Sequence, residues 1–299
     1  MKKSFGILSA LPLLVASFCA IAGSPQLKTV EVNGTELAYI EQGEGAPVVF
    51  VHGANVDYRY WEPQREAIAE RYHFIAYSLR YHEPNRWQDN GEHYSVQTHV
   101  ADLVAFIQSL NVGPVHLVGL SYGGAIAANL ALDHPELVKT LTLADGAVVS
   151  LIADSPEARP VLAQRSKVIA EAKEAIKTHG ALEGLKVFMD WILDAKGAYD
   201  NDPGINRGMY EVNLKTLVPL LASPPPPRID CAKAGTITVP TLILAGERTI
   251  PFYQMIDAAW ARCVPGSESA TIPAADHPMS IRNPAAFNEA LLTFFAGHQ

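Results

Sequence analysis

Gly119-Leu120-Ser121-Tyr122-Gly123 sets a hydroxyl between two glycines, after the apolar run Val115–Leu120 and ahead of the helical stretch Tyr122–Leu132. A serine on such a strand-to-helix corner is held in a strained backbone conformation. Its neighbours two positions away must lack bulk where the chain folds back on itself. The corner lifts the hydroxyl above the sheet, at a helix N-terminus whose dipole favours developing negative charge. A serine so placed attacks carbonyl carbon; attack on alkyl carbon needs a carboxylate instead.

Two further stretches complete that chemistry. His277, in Ala274-Ala275-Asp276-His277-Pro278-Met279, follows the last apolar strand. A ring with an unperturbed pKa near 6.5 can take the serine proton and return it to a leaving group at neutral pH. His52-Gly53 ends an earlier buried strand, and the loop beyond it offers the backbone N–H of Ala54. With the N–H of Tyr122 this makes a two-donor oxyanion hole. His52 is read as holding that loop by hydrogen bonds, at the edge of the substrate pocket. No H-E-x-x-H and no clustered His/Cys/Asp spacing suggests a metal, and no cofactor is expected.

The elements that must position these groups alternate regularly. Lys28–Gly34 and Thr35–Gly43 alternate apolar and polar residues and meet at Asn33-Gly34, a hairpin signature. Pro47–Gly53, His73–Leu79, Val115–Leu120, Lys139–Asp145, Thr241–Gly246 and Ser269–Pro273 read as further strands, eight in all. Helical patterns over Trp61–Tyr72, Ser95–Leu110, Tyr122–Leu132, Phe252–Arg262 and Pro284–Phe295 lie between or after them. That alternation implies a mostly parallel sheet with helices on both faces.

It is interrupted once. Residues 147–225 contain helical patterns at about 156–178, 182–195 and 205–221 and no strand, and the segment closes on the stiff spacer Pro224–Pro227. This block is read as a helical cap inserted into a body made of residues 23–146 and 226–299. Ligands of open α/β sheets bind beyond the carboxyl ends of the strands, so a cap inserted there covers the site.

Lys2 and Lys3, the apolar run Phe5–Phe18 and Ala20-Ile21-Ala22 have the layout of a secretory signal cut after Ala22. Periplasmic or secreted localisation is therefore expected, with no stable membrane anchor left after cleavage. Removing residues 1–22 takes away two lysines and no acid, moving the formal charge from −8 to −10. An acidic chain without a Lys/Arg cluster argues against a nucleic-acid partner. The same cleavage removes Cys19 and leaves Cys231 and Cys263, an even pair and a candidate disulfide in an exported protein. Oligomeric state is left open.

From about residue 28 to 296 the order of His-Gly loop, serine corner, cap insertion and late histidine resembles the α/β-hydrolase superfamily. The resemblance implies an eight-stranded α/β-hydrolase fold, a Ser-acid-His triad and hydrolysis through an acyl-enzyme. It implies a small-molecule ester or lactone as the partner. Non-hydrolytic relatives, ligand receptors or hydroxynitrile-lyase-like enzymes, run on the same three residues and form the alternative.

The commonest family pattern places the acid three residues after the glycine that ends the penultimate strand. Here that position is Thr249. Two carboxylates compete for the role. Asp145 ends the strand expected between the serine strand and the penultimate one, as in haloalkane dehalogenases and zearalenone-type lactonases. Glu247 lies two residues before the vacant position and has the longer side chain. Tyr81 stands where the superfamily often has glycine, and is expected to narrow the pocket. Trp191, in the apolar cap helix, and Met279, after the base, are further pocket candidates. An apolar roof favours an uncharged, hydrophobic substrate of small to medium size.

Overall fold

Every residue of the strand Pro47–Val51 is buried, and its side chains alternate between two separate cores. Val49 and Val51 face one core, and Val48 and Phe50 face the other. Such a strand must lie in the middle of a sheet covered on both sides. The computed structural model, which describes Met1 and residues 25–299, has that arrangement. The signal reading falls on residues 1–22, nearly all outside the described residues.

The strands are β1 (Lys28–Val32), β2 (Thr35–Gln42), β3 (Pro47–Val51), β4 (His73–Tyr77), β5 (Val115–Leu120), β6 (Val138–Ala144), β7 (Thr241–Gly246) and β8 (Glu268–Ile272). They form one eight-stranded sheet in the order β1-β2-β4-β3-β5-β6-β7-β8. β1 and β2 pair antiparallel with each other, β2 pairs antiparallel with β4, and all remaining pairs are parallel. Asn33 and Gly34 both take positive φ, 46° and 71°, as a two-residue hairpin turn requires.

The helices are α1 (Glu62–Ala69), α2 (Val96–Leu110), α3 (Tyr122–Asp133), α4 (Arg159–His179), α5 (Ala181–Ile192), α6 (Ala198–Asn201), α7 (Arg207–Val212), α8 (Leu217–Ala222), α9 (Cys231–Ala234), α10 (Pro251–Cys263), α11 (Met279–Arg282) and α12 (Pro284–Gly297). One core joins the sheet to α2, α3 and α10 through residues such as Phe106, Ile126 and Trp260. The other joins it to α1 and α12 through Ile68, Phe287 and Phe295. Ser95 starts α2 by accepting the Thr98 amide at 3.1 Å.

Between β6 and β7 the chain is helical, and α4 to α8 all fall there. The pattern expected as one helix over 205–221 is two, α7 and α8, broken at Asn213. That side chain is taken up elsewhere. It accepts the Glu83 amide at 2.8 Å and donates to Asp57 at 2.7 Å and to the Met209 carbonyl at 2.9 Å. Beside it, Asn55 donates to Thr216 Oγ1 at 2.7 Å. Arg282 adds an ionic tie, pairing at once with Asp276 of the body and Asp202 of the inserted segment.

Cys231 and Cys263 are bridged, with their Cα atoms 5.0 Å apart. The bond ties α9 to the end of α10, across 32 residues of chain. A loop of that size stabilises by roughly 3–4 kcal/mol in the chain-entropy treatment. Reduction is therefore expected to lower Tm by roughly 6–14 °C, read by calorimetry with and without reductant. A shift under about 2 °C would show that the bridge is energetically idle.

Candidate active site

Ser121 occupies the corner between β5 and α3 with φ 55° and ψ −117°, a region that side-chain-bearing residues rarely adopt. The conformation is fixed from both sides. Its amide donates to the Ala144 carbonyl at 3.0 Å, and its carbonyl accepts from Ala125 and Ala147. A Cβ at position 123 would sit 2.2 Å from the Val51 carbonyl oxygen, and one at 119 would sit 2.5 Å from that of Gly123. Neither glycine has positive φ. Their role is therefore close backbone approach, and the strain is carried by the serine.

β6 brings a carboxylate to the histidine. Asp145 is fully buried, and its Oδ2 accepts from His277 Nδ1 at 2.8 Å and from Thr249 Oγ1 at 2.6 Å. The threonine in the vacant family position thus supports the carboxylate that replaces the missing one. His277 reaches this point because β7 ends in Gly246, where a Cβ would lie 2.6 Å from the Asp276 carbonyl oxygen. The exposed Glu247 points elsewhere and accepts the Ala274 amide at 2.6 Å. It shapes the histidine loop and does not meet the imidazole.

Ala54 carries no backbone hydrogen bond on its N–H. Tyr122 is the first residue of α3, so its N–H is among those a helix leaves without an internal acceptor. Ala54 and Ser121 together line a cavity of about 560 Å³, and the same two residues also border a second space of about 40 Å³. His277 borders the small space. Ser121 therefore borders both spaces.

Residues 48–290 match the pattern of the alpha/beta hydrolase family. The chain belongs to that family. A relative from Acinetobacter baylyi, named (E)-2-((N-methylformamido)methylene)succinate hydrolase, is 30% identical over 154 residues, which cover 50% of this chain and 56% of that protein. The chain thus spans little more than half the length of that relative. A solved structure described as an N-acyl homoserine lactone degrading enzyme superposes with TM-score 0.72 at 24% identity, covering 89% of this chain and all of the other. A thermophilic esterase from Thermogutta terrifontis gives 0.71 at 23%, covering 92% and all of the other.

Of the pocket residues expected in this hydrolase, only Trp191 lines the large cavity. His52 is fully buried. Its Nδ1 donates to the Gly53 carbonyl at 2.7 Å, and its Nε2 accepts the Leu79 amide at 3.0 Å. It braces the oxyanion loop and lines neither chamber. Tyr81 is buried too, with φ 72°, a conformation that favours glycine. Stacking on Tyr94, a bond from its hydroxyl to Asp89 and one from Trp87 Nε1 to its carbonyl hold it there. Met279 packs with Phe287 and Leu291 in the second core.

Three site residues escape the sequence reading. Tyr253 stacks on the His277 ring, centroids 4.1 Å apart and planes 14° apart, and its hydroxyl lies 3.5 Å from Ser121 Oγ. No hydrogen bond joins Ser121 to His277; the serine hydroxyl faces Tyr253 instead. Asp257, one helical turn beyond Tyr253, is buried, and neither of its carboxyl oxygens has a hydrogen-bond partner among the described residues. Burial, and after it the charge of nearby Asp145, push its carboxyl well above the usual range and favour its protonated form. The i, i+4 spacing of two polar residues on the inward, Ile256- and Trp260-bearing face of α10 is the signal that could have found them. Arg165 of α4 is the third.

Proposed function

We propose that this hydrolase cleaves a carboxylic ester or lactone of small to medium size through an acyl-enzyme on Ser121. The observation that carries the reading is the 2.8 Å bond from His277 Nδ1 to buried Asp145, beside a cavity entered by a strained, glycine-flanked serine. That bond leaves the opposite ring nitrogen free to act as base. In the first step a turn of the serine side chain brings its hydroxyl onto that nitrogen. Oγ then attacks the carbonyl carbon as the proton passes to His277.

Negative charge collects on the carbonyl oxygen, facing the N–H groups of Ala54 and Tyr122; loss of one such donor typically costs roughly 3–4 kcal/mol. His277 returns the proton to the departing alcohol oxygen, and water repeats the sequence to free the acid. The departing group must stay close to His277, whose chamber of about 40 Å³ holds roughly three water-sized groups. A short alcohol, or the ring oxygen of a lactone, suits that space. The larger chamber takes the acyl part. An esterase and a lactone-degrading enzyme stand among the proteins of similar fold, which agrees with this reading.

Export to an oxidising compartment is part of the proposal, supported by the disulfide and the signal-like N-terminal residues. No helix among the described residues is long and apolar enough to cross a membrane. Mixing with p-nitrophenyl acetate is expected to give a burst equal to the enzyme concentration, followed by turnover. Ser121→Ala is expected to abolish both, along with fluorophosphonate labelling. Stoichiometric binding without turnover would replace this reading with a non-hydrolytic one.

A further inference from the structure

The large cavity is lined by apolar residues and a few hydroxyls, with no aspartate or glutamate among them, yet two arginines reach it. Arg228 is occupied by an ion pair with Asp154. Arg165 is different. This α4 side chain makes no hydrogen bond and no ion pair among the described residues, although it is only partly exposed and the chain is rich in acids. Its guanidinium lies 5.9 Å from the centre of the Phe252 ring. An arginine over an aromatic face is held in orientation while its N–H edges stay available. Burial lowers its pKa, and the Tyr253 hydroxyl is near enough to oppose that shift. Tyr253 in turn touches Ser121. The unpaired cation therefore faces the same chamber as the nucleophile.

We infer that Arg165 receives a carboxylate carried on the acyl part of the substrate, so that the preferred substrate is a half-ester or a carboxylated lactone and not a neutral ester. This rests on the ester-hydrolysis reading given above and narrows it. A guanidinium in an apolar chamber has given up water without gaining a counter-ion, and a carboxylate supplies two parallel N–H···O bonds in that setting. The apolar walls accommodate the carbon chain between that carboxylate and the reacting carbonyl. The uncharged substrate suggested by the apolar cap sequence is revised accordingly, because Arg165 is the one charged residue of the cavity wall without a partner among the described residues.

Monomethyl adipate and dimethyl adipate test the inference, with acid release followed by pH-stat at low salt. The native enzyme is expected to favour the half-ester by roughly 10- to 100-fold in kcat/KM. The preference should fall to about one in R165Q, chiefly through KM, and only partly in R165K. Melting curves of each variant establish that it is folded. Equal turnover of the two esters by the native enzyme, or an unchanged ratio in R165Q, would overturn the assignment.

Titration of monomethyl adipate into S121A and S121A/R165Q by calorimetry separates the two readings. Binding that depends on Arg165 without hydrolysis by the native enzyme would retain the anion site and discard esterase chemistry. Hydrolysis without any dependence on Arg165 would do the reverse.

Discussion

Replacing Asp145 with asparagine is expected to lower kcat on an ester substrate by about 10⁴-fold with KM little changed. The size follows from what the carboxylate does. It fixes His277 in the tautomer whose other nitrogen is the base, and it stabilises the imidazolium formed in the transition state. An amide offers neither the charge nor, if its NH₂ turns inward, an acceptor. The Thr249 hydroxyl and complete burial hold Asp145 in place, so the substituted side chain has no room to swing away. Glu247→Gln is expected to stay within about twofold of the native rate, since that carboxylate only caps the Ala274 amide at the surface. Steady-state kinetics on both variants, with a melting curve for each, checks the pair. Near-normal turnover in Asp145→Asn together with a large loss in Glu247→Gln would reverse the assignment of the acid.

A steep fall of stability between pH 6.5 and pH 4 is the second large effect. His52, His82 and His99 are each fully buried, and their rings neighbour one another behind Tyr122. Burial lowers the pKa of His52 to about 4 and that of His99 to about 3, and drives His82 well below its ordinary 6.5. Below pH 6.5 the unfolded chain binds protons at these rings that the native state refuses. Their stabilisation is therefore complete above pH 6.5 and is lost progressively as pH falls toward the folded values.

Asp257 acts with the opposite sign. Its raised pKa means that the native state holds a proton the unfolded chain has released above about pH 4. Burial also lowers the pKa of His116 to about 4, so the net uptake on unfolding at pH 5 is about three protons, or roughly 4 kcal/mol per pH unit. Against a typical total of roughly 5–15 kcal/mol, a drop from pH 7 to pH 5 removes a large share. Urea midpoints taken across that range measure it, and His99→Phe should reduce the slope by about one proton. A midpoint independent of pH would refute the account.

Most of the framework could be read from residue order alone. The strand and helix patterns are strong because each sheet face demands its own apolar set, and the serine corner announces itself through glycines whose Cβ atoms would strike the backbone. Asp145 could be ranked above Glu247 because strand order alone brings the end of β6 beside β5 and β7. What stayed hidden depends on long-range partners. Asn213 breaks a helix because of Asp57 and Glu83, more than a hundred residues away. Tyr81 resembles a pocket wall until its stacking on Tyr94 and its edge contact with Trp87 are seen. Tyr253, Asp257 and Arg165 sit in ordinary amphipathic helices, and only the approach of one helix to another's loop makes them part of a site.

The ties made by Asn213, Thr216 and Arg282 all fasten one margin of the helical roof, the margin beside the oxyanion loop and the histidine loop. The far margin consists of α4 and the prolines 224–226, which border the large chamber. This border is seated differently: Arg165 and Trp191 rest on the Phe252 ring of the body, so polar ties hold one side of the roof and an aromatic seat holds the other.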